Sequence, residues 1–409
     1  MERVVVTGVG VCSPLGSGVG EFWRRLLAGQ TGVRGLEGTE AEALGLRVAA
    51  TVPDEDLEPH LDPKAARRMS RSSRLALVAA GEAVRRAGLD APGVDREEVA
   101  VIVGSSIGGY SASEASFRAF YRQESVSPFT IPLSMNVAPA ANISIHHGFQ
   151  GPLLSVDAAC ASAAHSIGHA FGLIASGAVP VAVTGGADSP FSPAVVRAWR
   201  ALRVLSDWAG PAEEACRPFS ADRSGLVLGE GAGILVLEAE RSARARGATI
   251  LAELVGYGAS SDAHHLTQTE AAGPVLAMRR ALRQAGVDPG RVDYVNAHAT
   301  ATPLNDKTET RAIREVLGER APRVPVVGNK AALGHAMGAS GALELVSVVL
   351  SLRDQVVPPT LNCRVPDPEC DLDYVTEGCR PCRVEYALSN SFAFGGSNAA
   401  LLVRAYRPG

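Results

Sequence analysis

Short apolar runs alternate along the chain with longer stretches whose apolar positions recur at helical spacing. RVVVTGVGV, from residue 3, reads as a buried strand, and residues 20–28 as a short helix. LALVAAGEAVRRAG (75–88) has the helical period and stops at Gly88. VAVIVGSSIGG (99–109) is a strand running into a glycine loop. LLSVDAAC (153–160) is a strand entering a turn, and ASAAHSIGHAFGLIASG (161–177) a helix of small residues closed by Gly177. PVAVTGGAD (180–188) is a further apolar strand. The later part repeats the alternation in kind. Strand then helix fits GILVLEAERSARARG (233–247), and strand then loop fits ILAELVGYGASSD (250–262). Helix 273–286, strand 292–300, helix 304–318, helix 341–354 and strand-plus-loop 385–396 follow. Strands alternating with helices of this length predict an α/β protein with mostly buried sheets. No linker marks the plausible divide near residue 250. We therefore expect a two-lobed body with a shared core, residues 1–250 and 251–409, rather than two domains on a string.

Composition narrows the class. At 409 residues and 46% hydrophobic, the chain can bury large cores and exceeds one ordinary domain. A net charge of −4 gives no global field for nucleic acid. No stretch is apolar enough for a membrane span, and the start lacks the basic leader and long apolar run of a signal peptide. Seven irregularly spaced cysteines in so long a chain predict reduced thiols and a cytoplasmic location. CRPC (379–382), with Cys363 and Cys370 upstream, offers half of a zinc site but not the other half, so no metal is expected. His146-His147 and His264-His265 lack ligand spacing. GSSIGG and GEGAG are glycine-rich without being GxGxxG, so no dinucleotide is inferred.

Four stretches carry candidate chemistry. In SVDAACASAAHS (155–166), Cys160 stands among small residues where a strand passes into a helix, as its predicted first residue. A helix N-terminus would lower the thiol pKa and favour thiolate; a buried cysteine packing as a small hydrophobe fits the position equally well. In YVNAHATATPLND (294–306), His298 follows a strand and heads a loop with Thr300 and Thr302; alone it reads as a satisfied core histidine. GNKAALGHAMGASGALE (328–344) holds Lys330, His335 and Glu344 between glycines that cost helix stability unless backbone must pass close to something. In SNSFAFGGSNAALLV (389–403), Phe394-Gly395-Gly396 allows main-chain N–H groups to face a ligand, or is a plain hairpin turn. One cysteine, two histidines, a lysine and a Gly-Gly turn, each at a strand end, form the general pattern of a thiol nucleophile with distant partners.

These stretches, with RPFSADRSGLVLGEGAG (217–233), SSDAHHLT (260–267) and LRDQVVPPTLN (352–362), make the chain resemble, nearly end to end, the β-ketoacyl-acyl-carrier-protein synthases of the decarboxylating, elongating type. Their close relatives include the ketosynthase alpha subunits of polyketide synthesis. The resemblance implies a thiolase-type fold, two similar βαβ-rich halves forming a five-layered αβαβα body. It implies that Cys160 accepts the acyl group, with the backbone N–H groups of Cys160 and Phe394 as oxyanion hole. His298 and His335 would face the malonyl thioester, and Lys330 with Glu344 would form a supporting ion pair that orients His335. Thr300 and Thr302 would bind the pantetheine arm, and Ile107 and Phe394 would gate the acyl pocket. Lys64, Arg67, Arg68 and Arg203 match a docking patch for acidic acyl carrier protein. No cofactor is implied beyond the phosphopantetheine that arrives on that carrier. The implied assembly is a homodimer, or a heterodimer with a cysteine-free chain-length partner.

Two departures stand out: Ala299 where glycine is usual, strained if its φ is positive, and Ala158 where threonine is commoner. His335 argues against the chain-initiating relatives, which carry asparagine there. A thiolase would want a second catalytic cysteine near the C-terminus, and NSFAFGGSN has none. Cys160 argues against an inactive tunnel-shaping subunit.

Overall fold

The computed structural model describes residues 2–38 and 44–408. Its main sheet is one hydrogen-bonded path, 12-stranded when the short Gly16–Ser17 strand is included, beside two small two-stranded sheets. Within it the same arrangement occurs twice. Val4–Ser13 pairs antiparallel with Gly231–Ala239, which pairs antiparallel with Val181–Asp188. Val99–Gly104 and then Leu153–Leu154 continue outward in parallel. In the second run Ala252–Ser261, Ser397–Arg404 and Tyr386–Ala393 pair antiparallel in that order. Tyr294–Asn296 and Pro325–Val327 then continue in parallel, and Asp373–Tyr374 is added at the edge. The two runs join where Val4 faces Leu254 and Val6 faces Ala252. The two sheets implied by the resemblance are thus fused along one seam.

Helices make the other layers. Arg71–Ala87 covers Val4–Ser13 and Gly231–Ala239 on one outer face, and Ala272–Ala285 covers Ala252–Ser261 and Ser397–Arg404 on the other. Ser162–Ala175 and Ser340–Asp354 lie in the middle, and each packs on strands of both runs. The outcome is a five-layered α/β body. The outer helices sit unusually close to their strands because the strands carry glycine there. A Cβ on Gly10 would stand 2.0 Å from the Ala79 carbonyl oxygen, and one on Gly258 1.9 Å from that of Ala277. Both glycines belong to a Gly-x-Gly, Gly8–Gly10 and Gly256–Gly258, so the repeated architecture leaves a trace in the sequence.

Most predicted elements appear within a few residues of their expected bounds. The helix read from residue 75 begins at Arg71, because Ser70 caps it through the Ser73 N–H. The strand read over 153–160 is only Leu153–Leu154. The pattern did not show helices Tyr110–Tyr121, Thr130–Ser134, Ala138–His147 and Pro193–Ala201. In the first of these the large apolar side chains Phe117, Phe120 and Tyr121 face outward, so no buried stripe announces it. No helix among the described residues is long and apolar enough to cross a membrane. Parallel strands end together at one rim, where open α/β sheets carry their sites.

Candidate active site

Cys160 sits in the turn before the central helix, not as its first residue: the helix begins at Ser162. Ala159 takes a left-handed φ of 47°, and Ser162 Oγ braces the turn by accepting from Ala158 N–H (2.9 Å) and donating to Ala159 O (2.6 Å). The small flanking residues are needed for this tight geometry. Burial pushes the Cys160 thiol up to about 12; the Lys330 charge draws it down and Asp188 pushes it up again. The expected lowering by the helix N-terminus is therefore overturned, because desolvation of a thiolate outweighs it. Cys160 is a thiol in the free protein and needs a proton acceptor as it attacks.

His298 follows Tyr294–Asn296 on a loop held by carboxylates of the next helix, Pro303–Leu317. Glu309 accepts from the His298 and Ala299 N–H groups (2.8 and 2.9 Å), and Asp306 from Ala301 N–H (3.1 Å). The grip matters because Ala299 and Ala301 have φ of 46° and 63°. The Ala299 departure thus does carry backbone strain of about 1–2 kcal/mol. Behind the ring, Lys330 Nζ lies 3.3 Å from His298 Nδ1 and donates to His298 O and Glu344 Oε1, both at 2.5 Å. Lysine only donates, so Nδ1 accepts and the imidazole proton resides on Nε2. The Lys330–Glu344 pair therefore supports His298, not His335 as expected. His335 is placed by main-chain bonds to Val227 O (2.7 Å) and from Gly229 N–H (2.9 Å). Its Nδ1 meets Ser340 Oγ at 3.0 Å.

The two imidazoles stand edge to face, centroids 5.5 Å apart. Burial, then the Lys330 charge, holds both pKa values well below the ordinary one, with His335 adding to the effect on His298. Both rings are neutral near pH 7. Burial also pushes the Glu344 carboxyl up to about 7 against the pull of Lys330.

Cys160, His298, His335, Thr300, Thr302 and Phe394 line one cavity of about 260 Å³, and Arg203 stands on its wall. Thr300 and Thr302 share a hydroxyl–hydroxyl bond of 3.0 Å, and the Phe394 ring stacks on Trp199. Lys330 and Glu344 lie behind this wall. Ile107 is not part of the lining: it packs against the main core while its N–H reaches Asp188 (3.1 Å). Lys64, Arg67 and Arg68 are exposed on and just after helix Pro63–Ala66, outside the cavity, with the Arg68 guanidinium 5.1 Å over the Phe129 ring. Cys379 is exposed and Cys382 half-buried, both free, and no metal-holding cluster occurs among the described residues.

Several supporting groups escaped the sequence. Buried Asp188 accepts from Ser105 Oγ, Ser106 N–H and Oγ, Ile107 N–H and Gly338 N–H, so it ties the loop after Val99–Gly104 to the turn after His335. His165 bonds Tyr257 OH (2.6 Å) and Ser397 Oγ (2.9 Å), linking the cysteine's helix to the strand that leaves Phe394. Asp306 and Glu309 did leave a signal, two acids three apart on the helix face behind HATAT.

Residues 1–243 match the family described as "Beta-ketoacyl synthase, N-terminal domain" and residues 251–364 its C-terminal domain. The chain belongs to the beta-ketoacyl synthase family. It is 39% identical over 409 residues to 3-oxoacyl-[acyl-carrier-protein] synthase 2 of Staphylococcus aureus (strain N315), with 99% of each chain covered. Among solved synthase structures, the ishigamide ketosynthase/chain length factor superposes with TM-score 0.91 at 34% identity, covering 99% of this chain and 100% of that one. A type II polyketide synthase ketosynthase, solved with its acyl-carrier protein and bound to the hexaketide, gives TM-score 0.91 at 31% identity with the same coverage. The thiolase-type fold expected of a beta-ketoacyl synthase is thus the fold of this chain.

Proposed function

We propose that the protein is an acyltransferase that joins an acyl group, held on Cys160, to malonyl-acyl carrier protein by decarboxylative Claisen condensation. The observation that carries this is the single cavity shared by a buried thiol and two neutral imidazoles. In the first step Cys160 sulfur attacks the acyl thioester of the carrier's phosphopantetheine. The thiol proton passes to solvent in the cavity, and the departing pantetheine thiolate takes one up from the same solvent. The N–H groups of Cys160 and Phe394 stabilise the tetrahedral oxyanion, each by about 3 kcal/mol. In the second step the malonyl carboxylate leaves as CO₂ and its bonding pair becomes an enolate. The Nε2–H of His298 donates to the enolate oxygen, and His335 does the same once Ser340 donates to its Nδ1. The enolate carbon attacks the acyl-Cys160 carbonyl, the C–S bond breaks, and the cysteine recovers a proton from solvent.

Thr300 and Thr302 then bind the pantetheine arm, and Ile107 borders the acyl chain once the chain opens a pocket beyond Cys160. Lys64, Arg67, Arg68 and Arg203 dock the acidic carrier. Residues 1–250 and 251–409 form the two functional halves. Free thiols fit a cytoplasmic enzyme. The protein acts as a dimer, and exposed Phe117, Phe120, Tyr121 and Ile131 supply an apolar face for the partner. The likeness to the ishigamide ketosynthase/chain length factor favours, as second reading, a heterodimer with a chain-length-factor-like subunit. Intact-protein mass spectrometry with acyl carrier proteins of different chain lengths tests the reading. Wild type gains acyl masses and Cys160→Ala gains none; equal loading of both would sink it.

A further inference from the structure

The two N–H groups assigned above to the thioester oxyanion lie on different elements and in different halves of the chain. Cys160 precedes helix Ser162–Ala175, whereas Phe394 opens the turn that leads into strand Ser397–Arg404. That turn runs through Gly395 and Gly396 at left-handed φ of 80° and 70°. Glycine is free to move there, so the turn's own backbone does little to fix Phe394. Among the described residues, one side chain joins this turn to the cysteine's helix by hydrogen bonding. His165, in the first turn of the helix, places Nε2 2.9 Å from Ser397 Oγ, where the chain re-enters the sheet opposite Ala393. Its Nδ1 stands 2.6 Å from Tyr257 OH on the neighbouring strand Ala252–Ser261. The ring is thus held at both nitrogens. A neutral imidazole has one donor and one acceptor, and a hydroxyl takes either role, so both bonds form in either tautomer. Burial, with the His169 charge adding to it, holds the His165 pKa down to about 4, so the ring is neutral near pH 7. The helix makes room for the contact: a Cβ on Gly168 would stand 2.5 Å from the Tyr257 ring. His165, Tyr257 and Ser397 all lie outside the lining of the catalytic cavity.

We propose that His165 is a positioning residue of the oxyanion hole, and that through Ser397 it fixes the Phe394 N–H against the Cys160 N–H. The inference rests on the function proposed above. Two donors aimed at one oxygen must keep their placement to within about 0.5 Å, and here a contact between the halves sets it. The tie therefore has a kinetic signature. Attack of Cys160 on the incoming thioester, and attack of the enolate on acyl-Cys160, both build negative charge on an oxygen facing these two N–H groups. Decarboxylation of the malonyl donor builds it on an oxygen facing His298 and His335 instead. Loosening the bond from His165 to Ser397 slows the first two steps and spares the third. A disturbance of the whole fold slows all three.

The test follows three rates on the full chain, with donors carried on acyl carrier protein. They are acylation of Cys160, condensation from preloaded enzyme, and CO₂ release from the malonyl donor with no acyl group on the enzyme. Ser397→Ala is expected to slow acylation and condensation about tenfold each, in kcat and not KM, and to leave CO₂ release within about twofold of wild type. Ser397→Thr keeps the hydroxyl and is expected to bring both rates back to within about threefold of wild type. Tyr257→Phe frees the other ring nitrogen and should repeat the pattern at about threefold, which decides the matter if Ser397→Ala does not fold. An equal loss in all three rates would mean that the contact only supports the fold, and would overturn the proposal. So would unchanged acylation in Ser397→Ala, or a loss in Ser397→Thr as large as in Ser397→Ala. If wild type neither loads Cys160 nor releases CO₂, the condensing function falls and this inference with it. If wild type does both and Ser397→Ala matches it, only this inference falls.

Discussion

The two halves share a strand order and differ in what stands at the strand ends. In the first, Leu153–Leu154 leads through a tight turn to Cys160 and the central helix, and the residues flanking the thiol along the chain are small. In the second, Pro325–Val327 leads through Lys330 and His335 to the equivalent helix, Ser340–Asp354. The next strand over ends in Ser105–Gly108, gripped by Asp188, in the first half, and in His298–Thr302, gripped by Glu309 and Asp306, in the second. One half thus holds an acceptor for an acyl group and the other holds proton-bearing rings. Burial acts on both with one effect: it raises the thiol pKa and lowers those of the imidazoles, so every reacting group rests neutral. A rim built twice has been specialised by side chains while its backbone stayed alike.

The sharpest way to break this comparison is to remove the charge that exists in only one half. Lys330→Ala leaves Glu344 protonated near neutral pH and the His298 carbonyl without its buried donor, and is expected to cost about 1–3 kcal/mol of stability, read from urea midpoints. A loss below about 1 kcal/mol would show that the pair does not hold the second half's site. Next in size, Ser340→Ala frees the His335 ring. Condensation should fall about tenfold, one hydrogen bond's worth, while the rate of Cys160 acylation stays within twofold of wild type, a range of about 0.4 kcal/mol. Equal losses in both steps would erase the division of labour.

The pH profile gives a smaller but direct check. The folded pKa values of His298 and His335 lie well below the ordinary value of 6.5, so both rings stay neutral until the pH falls far beneath it. The condensation rate should show no acid limb at 6.5 and decline only at lower pH; a break at 6.5 would place an ordinary histidine in the mechanism. Smallest is Ala299→Gly. Relief of left-handed strain gains about 1–2 kcal/mol, and the freer unfolded chain takes back about 0.4–1. A net gain under about 1.5 kcal/mol is expected in thermal unfolding, and a net loss would contradict the strain at φ 46°.

Much of the fold was legible because buried strands and their covering helices have strong periodicities. The repeat is legible only in kind, as a second alternation of strands and helices; at residue level Gly8–Gly10 and Gly256–Gly258 preserve it, both as close-approach positions. The candidate site was legible through its motifs and the resemblance they carry. Its supports were harder. Asp188 and His165 act through contacts to distant loops that no local spacing encodes. The direction of the Cys160 shift was misjudged for a related reason: helix-end charge can be guessed from sequence, whereas the desolvation that outweighs it depends on everything packed around the thiol. Lys330 was placed behind the wrong histidine because His298 and His335 differ in sequence distance from it but meet in space.

The central claim is that the first half accepts the acyl group and the second half drives decarboxylation. It is tested most directly by loading Cys160 from an acyl carrier protein, adding the malonyl donor, and following the acyl-enzyme mass in wild type, His298→Ala and His335→Ala. Wild type should discharge its acyl group into product, while both variants should load and then hold it, with condensation lower by about 10²–10³-fold, the cost of losing one donor to a developing oxyanion. Discharge of either variant at the wild-type rate would contradict the account.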